Sequence, residues 1–285
     1  MKIKNIYAVY FSPAESTGTI VRAAAEEAAA LLEKEYGREV PVSEIDFTLP
    51  AAREKIGKKS FAADDLVFFG TPTYAGRIPN KALPFVEEMF EGSGTPLCAL
   101  ATFGNRSYDN VLRELTAVAK KNGFIPLGAG AFVARHVFSG IMAAGRPDEG
   151  DMDLVSKLAH GVAEKILSCG SSGADGALEP LDLGEPGPYY TPLGEDGQPV
   201  KFLKAKPKTD TEKCGQCGLC AEKCPLGSID KDDVTSVTGI CIKCHSCVRR
   251  CPAKAKYFDD EQMMSHLRML EANFAERRAE SEIIL

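Results

Sequence analysis

The sequence predicts an α/β protein in two parts: an open parallel sheet flanked by helices over residues 1–170, and a small cysteine-rich α+β unit over residues 211–258. Three observations predict it. Apolar strand-like runs alternate with helical patterns along the first part, as βα units do. Residues 171–200 hold six Gly and five Pro, a composition poor in core-forming side chains, so 171–210 reads as a linker. Eight of the ten cysteines then fall between Cys214 and Cys251. At 285 residues the chain is long enough for two domains. Its 44 % hydrophobic and 26 % charged residues are ordinary for a soluble globular protein.

The elements of the first part follow in order. Residues 3–11, IKNIYAVYF, form a nearly unbroken β-branched and aromatic run, the pattern of a strand buried on both faces. A polar loop, SPAESTGT, leads into an Ala-rich helix over 17–35, stopped before Gly37. Further strands are expected at 40–45, 66–70, 97–102 and 124–133, with helices at 79–90, 107–121 and 153–168. In the last helix Leu154, Leu158, Val162 and Ile166 recur four apart and form one apolar face. Five such strands suit the doubly wound order 2-1-3-4-5, whose ligand crevice lies beyond the carboxyl ends of the strands, at the switch between strands 1 and 3.

The cysteines come in two runs. From Cys214 the chain reads CGQCGLCAEKCP, and from Cys241 it reads CIKCHSCVRRCP. Each is a C-x2-C-x2-C-x3-C-P run, the bacterial spacing for 4Fe–4S clusters. Three closely spaced thiolates come from one tight loop, while the fourth, before Pro, reaches the other cluster. Cys214, Cys217, Cys220 and Cys251 are therefore assigned to one cluster, and Cys241, Cys244, Cys247 and Cys224 to the other. Zinc sites pair C-x2-C units across a long gap rather than as tandem triplets. A disulfide framework suits a short secreted chain, whereas the opening MKIKNIYAVYFS is too short and too polar for a signal peptide. The segment resembles the two-cluster bacterial-type ferredoxin domain, and all eight ligand positions match. Its eight Lys/Arg against five Asp/Glu over 211–258 give +3, which the charge of two clusters offsets, so no strongly basic partner is implied.

The crevice rule selects three loops of the first part. The loop after strand 1 offers Ser12, Ser16, Thr17, Gly18 and Thr19. Hydroxyls and open amides at a helix start suit a phosphate, and equally suit an ordinary N-cap. The loop after strand 3 carries Pro72, Thr73, Tyr74, Ala75 and Gly76. The loop after strand 4 carries Thr102, Phe103, Gly104, Asn105, Arg106 and Tyr108. Aromatic rings in two loops at one crevice can sandwich a flat ring, or can cap the core from above.

Residues 1–170 resemble a flavodoxin domain, and the order of parts resembles the flavodoxin–ferredoxin fusion flavoproteins of anaerobic prokaryotes. The segments FSP, GTPTYAGRIP, FGNRSYD and AGRPD carry the likeness, which spans nearly the whole chain apart from the linker and the extreme C-terminus. It implies FMN, with Ser12, Ser16 and Thr17 at the phosphate, and Pro72 to Gly76 and Thr102 to Tyr108 at the isoalloxazine. A flavodoxin phosphate loop runs S/T-x-T-G-x-T. Starting from Ser12, this chain places Ala14 and Glu15 where Thr and Gly are expected. A carboxylate there repels a phosphate unless it turns away, or unless the loop shifts to use Gly18 and Thr19.

Several features stand outside these motifs. His136, Arg146 and Asp148 either line the crevice, with His136 as a proton donor, or fix local turns and pack the domains together; the second reading weighs more. Tyr189 and Tyr190 suggest that the linker lies against a domain surface. Tyr257 and Phe258 are expected to close over a cluster, with His245 a supporting neighbour of the ligands. Cys98 and Cys169 read as buried or idle thiols. Residues 259–279 read as a helix with Met264, Leu267, Leu270 and Phe274 on one face, which needs either the first domain or a second copy (a homodimer) as its partner.

These parts imply an iron–sulfur flavoprotein moving electrons between two 4Fe–4S clusters and an FMN, a ferredoxin-linked oxidoreductase whose final substrate is not visible. The alternative is an electron carrier whose first domain is a docking module. No G-x-G-x-x-G fingerprint supports direct use of a nicotinamide. The net charge of −6 gives no reason to expect nucleic acid, and no 18-residue apolar run predicts a membrane span. A cytoplasmic location is expected, with a redox protein or a small-molecule acceptor as partner.

Overall fold

The computed structural model describes residues 2–171 and 178–285. Positions 172–177 of the expected linker lie outside the described residues. The first part comprises β1 (Asn5–Tyr10), α1 (Ser16–Tyr36), β2 (Val42–Asp46), α2 (Pro50–Ile56), β3 (Lys59–Phe61), β4 (Asp65–Pro72), α3 (Leu83–Met89), β5 (Phe90–Gly92), β6 (Thr95–Phe103), α4 (Val111–Lys121), β7 (Phe124–Val133) and α5 (Glu149–Ser171). The second part and C-terminus contribute β8 (Lys208–Thr209), α6 (Leu219–Glu222), α7 (Ser246–Arg249), β9 (Lys256–Tyr257), α8 (Glu261–Phe274) and β10 (Glu282–Ile284).

The main sheet runs β2-β1-β4-β6-β7-β10. Its first five strands are parallel, which reproduces the expected order 2-1-3-4-5. The centre is apolar because both faces are covered. β6 is buried along its whole length, as is β4 up to its last residue, Pro72. On one face Ile20, Val21, Ala24, Ala28 and Leu32 of α1 pack beside Val155, Leu158, Val162 and Ile166 of α5. On the other, Val86 of α3 and Leu112 and Leu115 of α4 meet Phe11, Phe47, Phe69 and Phe90. α1 ends where expected, at Gly37, whose φ of +64° and N–H to Glu33 O close the last turn.

Three differences from the sequence reading stand out. β3 and β5 form a separate parallel ribbon; three-residue strands are too short to show a period. The C-terminal residues add β10 antiparallel to β7, with Glu282 opposite Ala131 and Ile284 opposite Ala129. This strap covers a sheet edge that would otherwise present unpaired amides. The C-terminal helix is shorter than the expected 259–279, and its buried face is Met263, His266 and Leu270 rather than Met264, Leu267 and Phe274 with Leu270. Asp260 caps it, its side chain accepting from Met263 N.

α8 docks within the chain. Its His266 bonds Leu193 O and stacks on Phe202, and its Glu271 accepts from Ser139 Oγ. The linker runs along the first domain, with Leu181 N on Pro126 O and Tyr190 N on Ala75 O. Arg77 lies over the Tyr189 ring and donates to Gly187 O. No helix among the described residues is long and apolar enough to cross a membrane.

Candidate metal centres and cofactor crevice

The eight clustered cysteines sort into two cavities. One is lined by Cys214, Cys217, Cys220 and Cys251 together with Leu219, Val234 and Lys256. The other is lined by Cys224, Cys241, Cys244 and Cys247 together with Leu226, Ile229 and Phe258. Each cavity thus takes three cysteines from one run and the fourth from the other. The chain achieves this with tight turns: Gln216 and Lys243 hold φ of +51° and +55° inside the two CxxC loops. Gly218 and His245, at +76° and +56°, start the short helices α6 and α7.

Four thiols facing an apolar cavity are the donor set for a 4Fe–4S cluster, so the residues present fit the group. Among the described residues no three His, Cys, Asp or Glu converge on one metal ion; thiolates around a cluster each meet a different iron and stand further apart. Backbone amides already point at the sulfurs. Ser228 N donates to Cys224 Sγ (3.2 Å), Lys243 N to Cys241 Sγ (3.3 Å) and Ala255 N to Cys251 Sγ (3.2 Å). Burial pushes the Cys247 thiol up to about 12 and Cys244 up as well, so these thiols keep their protons until a metal displaces them. At Cys251 burial acts upward, but amides from Ala255 and its neighbours outweigh it and hold the thiol below its usual value.

The two cavities differ in surroundings. Cys217 is exposed, whereas Cys244 and Cys247 are buried. The Cys224 cavity faces the first domain. Phe258 stacks on His245 with ring centroids 4.6 Å apart, and His245 meets Phe138 at 4.9 Å. Phe138 in turn meets His136 at 5.3 Å, and His136 packs so closely on Gly104 that any Cβ there would lie 2.3 Å from its ring. Tyr257, expected over a cluster, is instead 41 % exposed. His136 sits beside the crevice, but burial lowers its pKa to about 4. Its Nδ1 accepts from Phe138 N. It is neutral near pH 7 and does not serve as a ready proton donor.

Ser12 of the loop after β1, Thr17 of α1 and Thr102 of β6 are all buried. Ser12 Oγ accepts from Gly18 N (2.9 Å), and Thr17 Oγ1 lies 2.7 Å from Thr102 Oγ1. The amides of Ser16 and Thr17 stand in the first turn of α1, where no intrahelical acceptor exists. Glu15 has left-handed φ of +72°, and its carboxylate turns away to pair with Arg250 at 2.8 Å. The carboxylate that broke the phosphate pattern therefore faces the second domain.

The loops after β4 and β6 are less open than the sequence suggests. Tyr74 and Arg77 bridge each other through N–H to O bonds, which closes Ala75 and Gly76 into a turn. Asn105, at φ +66°, donates to Phe274 O and Arg277 O and accepts from Ala279 N. Tyr108 OH bonds Glu282, and Arg106 pairs with Asp109 and lies 3.8 Å from the Tyr190 ring centroid. The side chains of Asn105, Arg106 and Tyr108 thus hold the C-terminal strap and the linker. Phe103 is buried, with its ring edge-on to Tyr108. Thr73 Oγ1 and Tyr74 OH are buried without partners. For a flavin, the amides of Ser16 and Thr17 and the hydroxyl of Thr73 are the donors that fit.

Sequence reasoning missed three residues. Arg53 donates to Phe47 O (2.9 Å), Thr48 O (2.7 Å) and, across the domain boundary, Pro225 O (2.7 Å), with its guanidinium over Phe85. Arg250 had no visible partner. Lys256 is 3 % exposed and lines the Cys214 cavity, its Nζ bonded to Thr209 Oγ1 and Val234 O. Arg146, for which a packing or turn-fixing role weighed more than a place in the crevice, is buried against Asp151 and Ala279 O and anchors the strap. Only long-range contacts reveal these roles. Cys98 is buried in β6 and Cys169 is half-buried in α5.

Residues 207–230 match the family of 4Fe-4S binding domains. No curated protein matches the chain. Among solved structures, a flavodoxin from the domain Archaea is 14 % identical, with TM-score 0.41 over 57 % of this chain and 99 % of that one. A flavodoxin of Streptococcus pneumoniae TIGR4 is 17 % identical, with TM-score 0.37 over 56 % and 99 %. Rubredoxin oxygen:oxidoreductase of the anaerobe Desulfovibrio gigas is 15 % identical, with TM-score 0.39 over 59 % and 37 %. Strand order in the first part and the matched cysteine segment in the second agree on one architecture: the chain is a fusion of a flavodoxin-like domain with a C-terminal 4Fe–4S ferredoxin domain.

Proposed function

We propose that this protein is an iron–sulfur flavoprotein that moves electrons between two 4Fe–4S clusters and an FMN, as a ferredoxin-linked oxidoreductase. The observation that carries the proposal is the sorting of eight cysteines into two four-cysteine cavities, one of which abuts the crevice loops of the flavodoxin-like domain. Cys217 is exposed, so a cluster held by Cys214, Cys217, Cys220 and Cys251 would lie near solvent, open to a partner protein. A cluster held by Cys224, Cys241, Cys244 and Cys247 would be walled by His245 and Phe258 on the side of the crevice. Bound FMN would supply the conversion between one-electron and two-electron chemistry. The chain's own part is to hold these centres at fixed spacing, to exclude water with the Phe138, Phe202 and Phe258 rings, and to present amides at the start of α1 to a phosphate.

A second reading has a specific observation behind it. Asn105 and Tyr108 are committed to the C-terminal strap, which favours a carrier whose first domain docks a partner without flavin. Anaerobic purification with iron, acid-labile sulfide and released-flavin assays on one sample separates the two. The proposal expects about eight irons and one FMN per chain. Eight irons without flavin, even after incubation with FMN, would leave the carrier.

A further inference from the structure

Tyr74 belongs to a crevice loop, yet the charged groups that act on its hydroxyl belong to the second domain. The oxygen is buried with no hydrogen-bond partner, a state that costs about 1–3 kcal/mol unless a bound group satisfies it. The charges that act on this phenol are the Cys244 and Cys241 sulfurs and the Arg249 guanidinium. A guanidinium can only donate, so of these groups only the sulfurs can accept, and neither stands close enough to the phenol to do so directly. A second orphan, His245 Nε2, sits on the wall of the same cavity. One orphan on the cavity wall, and a second acted on by two cysteines, Cys241 and Cys244, that line the same cavity, mark an occupant that carries acceptors on its surface.

The backbone that carries the ring is also held firmly. Tyr74 N donates to Arg77 O (2.9 Å) and Arg77 N returns the bond to Tyr74 O (3.2 Å), while the linker's Tyr190 N binds the next carbonyl, Ala75 O. Arg77 is itself fixed by Glu114 and by the Tyr189 ring. On the cavity's other side, backbone amides of Ser228 and Lys243 already serve Cys224 and Cys241.

We infer that the Tyr74 phenol donates a hydrogen bond to the cluster held by Cys224, Cys241, Cys244 and Cys247, so that the flavodoxin-like domain tunes that cluster's potential across the domain boundary. This inference rests on the two-cluster reading above. A donor to a cluster sulfur stabilises the reduced state, which carries one more negative charge, and raises the potential. Docking of the two domains and the poise of the inner cluster are thereby one property: a chain whose domains separate has a lower-potential inner cluster.

The test is an EPR-monitored redox titration of the intact holoprotein and of Tyr74→Phe, with iron counted in both. In Tyr74→Phe one of the two one-electron waves moves to lower potential by about a tenfold change in reduction equilibrium, about 59 mV. The other wave stays in place. An exchangeable-proton coupling seen by ENDOR on the reduced wild-type cluster disappears. Tyr74→His, which keeps a ring donor, retains part of the shift and serves if the Phe variant does not fold. Two unmoved waves in a protein with eight irons overturn the inference alone, as does an equal shift of both waves. Fewer than eight irons in wild type overturn the two-cluster reading and the inference with it.

Discussion

Two polar contacts join the domains near the cavities, and their energies differ enough to be separated by experiment. Arg250 and Glu15 form an ion pair 2.8 Å apart, but their side chains are 27 % and 71 % exposed. Such a pair contributes about 0.2–1 kcal/mol. Arg53 is 9 % exposed and its bond to Pro225 O is one of three to backbone carbonyls. A hydrogen bond with a charged partner contributes about 1.5–3 kcal/mol. Arg53→Met keeps the aliphatic stem against Phe85 and removes every donor. Domain separation then becomes about 10- to 150-fold more populated, from RT of about 0.59 kcal/mol. Hydrogen exchange followed by mass spectrometry reads this as faster exchange at 226–229 and at the start of α1. Glu15→Gln should accelerate the same amides by about fivefold at most. If Arg53→Met exchanged like wild type there, or if Glu15→Gln had the larger effect, the assignment of Arg53 as the docking residue would be refuted.

Three further outcomes follow from the structure. Asp151→Asn weakens the buried pair with Arg146 and the bond from Ser281 Oγ, costing about 3–5 kcal/mol; protease should then cut residues 275–285 first. Hydrogen bonds from Arg146 and Ser281 outweigh burial and hold the Asp151 carboxyl low, so this contribution persists above the unfolded carboxylate range and fades only as pH falls below it. His136 has the opposite charge type but the same pH direction. With a folded pKa of about 4, the unfolded chain binds the extra proton below about 6.5, and about 2 kcal/mol of stability is lost between pH 6.5 and pH 5. Thermal unfolding of His136→Phe should show less loss over that interval. Lys256→Met removes a buried cation beside the Cys214 cavity and should lower the potential of that cluster in a redox titration, with the sulfur-facing amides unchanged.

Much of the architecture is legible before any coordinates. The parallel sheet shows because its strands are apolar on both faces, and the cluster ligands show because thiolate spacing is fixed by the loop that carries them. The crossing of Cys224 and Cys251 follows from the Pro after each. What escapes is whatever depends on contacts between distant segments. β10 is three residues long and gains its place from the exposed edge of β7 and from Ser281, which bonds Val133 N. Nothing in the sequence near Asn105 tells that its amide clamps residues 274–279. Glu15 looked like an obstacle to phosphate binding because the loop alone does not reveal Arg250. The buried face of α8 was misplaced by one position because His266, a polar residue, is buried there through its bond to Leu193 O and its stacking on Phe202.

The most direct test of the account is rapid mixing of the anaerobic holoprotein with a substoichiometric one-electron donor, followed at cluster and flavin wavelengths together. The account predicts that cluster bleaching appears first and recovers as flavin absorbance falls, the electrons settling on the FMN. Cluster bleaching that persists while bound flavin stays oxidised would contradict it.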